Sequence, residues 1–280
     1  MNQKISRITS LDITRFVAIM IMLGNHIIHA TLDAKLEATN AYQTWNFYRS
    51  FTAPLFLTIS GCVFFIATKV RWDTHTFFSK PFNKRLARSI LLIILGIVLQ
   101  LPSRHISGFE SINEYRIVRL VGCDILRLIG FMLIFFEIMV VTIRKEHVFI
   151  IVAAIMFVAG IIASPFVWQI SWGPFPQKIL MGLINGNIGD GKTSDAVFTF
   201  FPYGIYMFGG VLIGWFWTRE SVLNDNAKRW FFLLLGGVLF LYIGYLVNNN
   251  VDQEWINPRT KPAMFLKQFG AAILYHCWHR

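Results

Sequence analysis

Eight stretches of this 280-residue chain are long and apolar enough to cross a bilayer, which leaves few folds open to it. They lie at roughly 13–32, 49–68, 86–103, 122–143, 148–166, 196–217, 230–247 and 261–278. A spanning helix needs about 20 mainly apolar residues. With no water in the hydrocarbon core, its backbone groups must pair within the helix itself. The pattern therefore predicts an all-α, polytopic bundle of eight transmembrane helices in a single domain, 1–280. The stretch around 150–162 is the clearest, with no charge in its middle. The last is the weakest, being interrupted by Lys267, Gln268 and His276. The first follows Lys4 and Arg7 as a signal peptide would, but Asp12, Arg15, Asn25 and His26 break up its apolar core. It reads as an uncleaved first span.

Charge is scarce and lopsided. Only 15% of residues are charged, against about 25% in globular domains, yet the net charge is +11. In so apolar a chain, a basic excess marks the cytoplasmic side of a membrane rather than a nucleic-acid partner. With the N-terminus cytoplasmic, the inner segments hold 14 Lys and Arg residues and the outer segments 10. The densest block, 69–88, carries six basic residues and one acid, Asp73, and falls on the inner side. Asp33, Glu37, Glu110, Glu114, Asp190, Asp195, Asp252 and Glu254 all fall on the outer side. The outer loop 165–195 is rich in Trp, Pro, Gly and Asn, a composition of interface anchors and turns. Cys62, Cys123 and Cys277 lie in or beside apolar blocks with no CxxC spacing, so neither a disulfide framework nor a metal site is expected.

A charged side chain within a span costs about 2.5–3.5 kcal/mol on insertion scales, so each one asks for a reason. The first span carries Arg15 and His26. Eleven steps at about 100° return to within about 20°, so both lie on one stripe, roughly 16 Å apart along the axis. Such a stripe is expected to face a polar interior. The plainer account is that Arg15 snorkels, Asp12 pairs with it, and His26 bonds to a neighbouring helix. His29 lies one turn further out. In the second span, Ser60 and Gly61 are small enough for close helix packing. At the start of the third, Arg85 and Arg88 share a face beside Lys80 and Lys84. Two guanidiniums at a helix start suit phosphate, although a positive-inside anchor has the same composition. Asp124 and Arg127 form an i,i+3 pair. Glu137, deeper in that helix, is either a site residue or the partner of a cation on another helix, with Arg15 as one candidate.

In order and spacing these features resemble the membrane-bound acyltransferase superfamily. It includes the acyltransferase type 3 family and the catalytic domain of heparan-alpha-glucosaminide N-acetyltransferase. Arg15, ten residues, then His26 matches the type 3 pattern. Phe56-Leu57-Thr58-Ile59-Ser60-Gly61 matches its Phe-Phe-x-x-Ser-Gly, with Leu57 in place of the second Phe, and Arg85-x-x-Arg88 matches its inner loop. Val121 to Gly130, Phe201-Pro202-Tyr203 with Gly209, Gly210 and Gly214, and Asn257-Pro258-Arg259 to Pro262 resemble the glucosaminide acetyltransferase branch. The likeness covers 8–143 well and 196–275 loosely. The family commonly has ten or more spans, so the chain reads as a short or C-terminally truncated member.

The resemblance implies transfer of an acyl group, acetyl above all, from cytoplasmic acyl-CoA to a hydroxyl or amine of an extracytoplasmic glycan or lipid-linked sugar. In that reading Arg85, Arg88 and Lys84 hold the phosphates of acetyl-CoA. His26 is the general base, or forms an acyl-His intermediate, and Arg15 orients the donor with Asp12 fixing it. Ser60 offers a hydrogen bond to the donor, and no metal takes part. The expected partners are the bilayer, acyl-CoA and the sugar acceptor, with room for a homodimer, and the expected location is the bacterial cytoplasmic membrane. Two other classes remain open on the residues alone. A proton-coupled carrier also uses intramembrane Arg, His and Glu, and a membrane scaffold needs only packing.

Overall fold

In the computed structural model, the described parts of all eight apolar stretches fall mainly on helices. The structure describes residues 9–101, 123–170, 183–185, 198–219, 222, 226–251 and 261–278. We number the helices α1 (Thr9–Thr31), α2 (Asn40–Arg49), α3 (Thr52–Lys69), α4 (Lys80–Leu99), α5 (Ile125–Ile143), α6 (Glu146–Gln169), α7 (Ile205–Trp217), α8 (Asn226–Asn250) and α9 (Pro262–Trp278). Short 3-10 turns lie at Ala34–Ala38 and Trp72–Thr74, and a π-helical turn at Phe200–Gly204 leads into α7. No strand occurs among the described residues. Six helical segments meet the length and hydropathy of a membrane span, and Pro262–Leu274 is a shorter apolar one. α4 is twenty residues long but opens with Lys80, Lys84, Arg85 and Arg88. The acids and bases expected at 102–122, 171–182 and 186–197 lie outside the described residues.

The chain divides into two compact units, 1–70 with 209–252 and 263–280, and 71–208 with 253–262. In the first unit, Ala18 of α1, Leu55 and Ile59 of α3 and Ala272 of α9 form a buried apolar cluster. α3 is its most enclosed element, and three of the hydroxyls within it are satisfied locally. Thr58 donates to the Pro54 carbonyl, Ser60 to Phe56 and Thr68 to Phe64, at 2.8, 2.8 and 2.7 Å. Back-bonding of this kind lets a hydroxyl sit in an apolar helix without an orphaned donor. α7 lies parallel to α3 at backbone contact: a Cβ at Gly210 would stand 1.9 Å from the Thr58 carbonyl oxygen, and one at Gly214 2.7 Å from that of Cys62. The small residues that matter most for this packing are therefore on α7. α8 and α9 run antiparallel, with Gly237 against Leu274 and Gly244 against Ala263. Small residues at such crossings replace the hydrophobic drive that lipid removes.

In the second unit, α4 and α5 form an extended antiparallel pair. Gly96 faces Asp124 and Arg127, Gly130 faces the Ser89 carbonyl, and Arg85 reaches Glu137. Ser79 caps the start of α4 and Asp124 that of α5, its carboxylate accepting from the Arg127 amide at 2.8 Å. Each satisfies a donor that a helix start leaves open. Asn185 is fully buried, and its side-chain amide donates to the Val167 and Ile170 carbonyls, closing the end of α6.

Candidate active site

α1 buries the face that carries Leu11, Thr14 and Ala18 and exposes Phe16, Ile19, Met20, Leu23 and Ile27. The exposed face is the apolar surface that a lipid-facing helix requires. Arg15 borders the buried face and is half-buried, within electrostatic reach of Asp12 on its own helix and of Cys62 on α3. Asp12 therefore stands where the i,i+3 spacing puts it. His26 is exposed. The sequence expectation was a polar interior for both; only Arg15 is partly enclosed. The reason is local, because the C-terminal turns of α1 are flanked by α2, and α2 meets the neighbouring face. Trp45 of α2 packs on Gly24, where an added Cβ would lie 3.8 Å from its ring. Arg49 of α2 donates from Nη1 to Asn25 Oδ1 at 2.8 Å and from Nε to Asn46 Oδ1.

The cations expected to hold the donor lie in the second unit. Lys80, Lys84 and Arg88 are exposed, whereas Arg85 is half-exposed and committed. Its Nη1 donates to Glu137 Oε1 at 3.1 Å, with 21% of its side chain exposed against 1% for Glu137. His75 meets the other carboxylate oxygen, so its Nε2 carries the proton and donates to Glu137 Oε2. His75 is itself buried, with its ring edge toward Phe82, and its Nδ1 has no partner among the described residues. Arg85 thus offers a counter-charge to Glu137 while His75 satisfies its second oxygen, across three chain segments, as a membrane interior demands. The segment carrying His75 is tied down a second time. Trp72 Nε1 donates to the Arg144 carbonyl at 2.7 Å, at the left-handed turn that ends α5.

Glu137, left open by the sequence, finds its cation in Arg85 on α4. Arg127 and Asp124 pair as their spacing suggested, Nε to Oδ2 at 3.5 Å. Ser60 is buried, and its proton is spent on the Phe56 carbonyl, which leaves it only as an acceptor. Two polar residues escaped the sequence reading, His75 and Arg49. His75 lies in the short segment between α3 and α4 and pairs with a residue 62 positions away, whereas Arg49 ends α2 and reaches Asn46 within one turn and Asn25 on α1. The signal that pointed to His75 was the lone Glu137, since a carboxylate in a span needs a donor from elsewhere. Among the described residues no cluster of three His, Cys, Asp or Glu side chains could hold a metal ion.

The family sequence model described as "Heparan-alpha-glucosaminide N-acetyltransferase, catalytic" matches residues 7–249. The match spans α1 to α8, and so both units. No curated protein and no solved structure matches the chain.

Proposed function

Because the chain belongs to the heparan-alpha-glucosaminide N-acetyltransferase catalytic family, a family of membrane acetyltransferases, we propose that it moves an acetyl group from acetyl-CoA to a sugar on the far side of the membrane. The acceptor is a hydroxyl or amine of a glycan or lipid-linked sugar, and the membrane is the bacterial cytoplasmic one. The observation that carries this reading is the length of the family match, which takes in Arg15, His26, Arg85 and Arg88 together.

In this reading His26 takes the proton of the acceptor O–H or N–H as the new bond to the thioester carbonyl carbon forms. The carbon–sulfur bond breaks, and the CoA thiolate leaves and takes up a proton. An imidazole suits that exchange because its unperturbed titration lies near neutrality. Arg15, half-buried and near Asp12, orients the donor, and Asp12 holds it in place. Arg88, Lys84 and Lys80 are exposed cations at the start of α4, a composition that fits the phosphates of CoA. Arg85 joins them as a guanidinium oriented by Glu137. Ser60 serves only as a hydrogen-bond acceptor.

The test uses the full chain in proteoliposomes with radiolabelled acetyl-CoA and sugar acceptors. Label should move covalently to sugar with the unchanged protein and fail to move with His26→Ala. Full transfer by His26→Ala would remove His26 from the chemistry. Sugar-driven proton uptake without any acyl transfer would instead identify a carrier.

A further inference from the structure

Among the described residues, Arg49 has no counter-charge. Its two hydrogen bonds, from Nη1 to Asn25 and from Nε to Asn46, both end on neutral amide oxygens. Among the described residues no carboxylate reaches it. Asp33, the acid nearest in sequence whose side chain is described, caps the short turn after α1, accepting from the Lys35 amide at 3.0 Å. A guanidinium carries five N–H donors in a rigid fork. Two are used here and three remain, on a side chain that is only half-buried. An arginine that serves packing alone usually meets a carboxylate. One held in a set orientation by amides keeps its full charge and its remaining fork for an anion.

Its position gives that fork a use. Asn25 directly precedes His26 on α1, so the side chain that orients Arg49 is adjacent in sequence to the proposed base. α2 is fixed against α1 on the same stretch, with Trp45 one turn before Arg49 lying on Gly24. We propose that Arg49 is an oxyanion-recognition residue at the outer end of α1, which binds a phosphate or carboxylate carried by the sugar acceptor. This deepens the acyltransferase reading and rests on it for the identity of the acceptor. The same chemistry would also capture a lipid phosphate, and the experiment separates the two sources.

The measurement is binding, without acyl-CoA, to the full chain in nanodiscs of zwitterionic phosphatidylcholine. The probes are glucosamine and glucosamine 6-phosphate, which differ only in the anion. Charge-assisted contacts of this kind should make the phosphate sugar bind about tenfold more tightly. Arg49→Gln should bring that ratio to about one, and Arg49→Lys, which keeps the charge but loses the fork, to a value between. Asn25→Asp places a carboxylate on Arg49 and should abolish the ratio with the arginine still present, so the result does not hang on how Arg49→Gln folds. No ratio with the sugars, together with selective retention of phosphatidylglycerol that Arg49→Gln loses, would place a lipid headgroup on the same fork. Equal ratios and equal lipid retention in the unchanged and Arg49→Gln proteins would overturn the proposal. His26→Ala should keep the ratio. Preference without transfer would therefore leave the anion site standing while the acyltransferase reading fell, and transfer without preference would do the reverse.

Discussion

The two charged regions of this molecule solve opposite problems. Around Glu137, three ionisable side chains use one another up: Arg85 and His75 each take one carboxylate oxygen, and Glu137 is almost wholly buried. Around the C-terminal end of α1, His26 is exposed and Arg49 rests on two neutral amides. A charge that is locally compensated holds segments together. A charge held in place without compensation retains its field and its donors. In the proposed reading, the first region fastens segments and the second meets the acceptor.

Substitutions can break or sharpen that contrast. The largest effect expected is on turnover: His26→Ala should lower acetyl transfer by about 100-fold or more and leave the thermal unfolding midpoint unchanged, read by activity and melting on one preparation. A large loss of stability there would merge the two regions. Next, Glu137→Ala should destabilise the protein by about 3–5 kcal/mol, since it strands a buried histidine and a half-buried arginine, as measured by denaturant unfolding in detergent. Replacing Glu137, His75 and Arg85 together by apolar residues of similar volume should recover most of that loss. Failure of the triple replacement to recover it would mean that the cluster does more than fasten segments.

Gly210→Ala tests packing away from both regions. Its Cβ would meet the Thr58 carbonyl oxygen at 1.9 Å, so backbone must shift, at a cost of about 1–3 kcal/mol in the melting measurement. The smallest structural effect is expected from Arg88→Gln. Being exposed, Arg88 should contribute within about 0.5 kcal/mol to stability, whereas KM for acetyl-CoA should rise several-fold with kcat nearly unchanged. An unchanged KM would remove Arg88 from the donor site.

Much of the fold was legible because a spanning helix advertises itself by length and composition. The described parts of all eight apolar stretches fall mainly on helices, and Asp124–Arg127 pairs as its spacing implied. α2 was not legible. Ten residues long and amphipathic, it lies ahead of α3 in the segment between the first two predicted spans, and only its Thr39 cap marks it. Part of the candidate site was legible as well. Arg15, His26, Arg85 and Arg88 stand on single helices where an 11-residue or 3-residue spacing fixes their relative direction. Their surroundings were not legible: the reading expected a polar interior for His26, and the structure leaves it exposed.

The sequence by itself determined that this chain is an integral membrane protein of apolar helices and which family it belongs to, because hydropathy and motif spacing are local properties. Only the tertiary structure decided that Glu137 belongs to Arg85 and His75, that Gly210 and Gly214 are the small residues set against α3, and that Arg49 leans on Asn25. Each of these joins residues far apart in the chain. Such pairs are set by which helix faces meet and at what register, and local spacing carries no record of either.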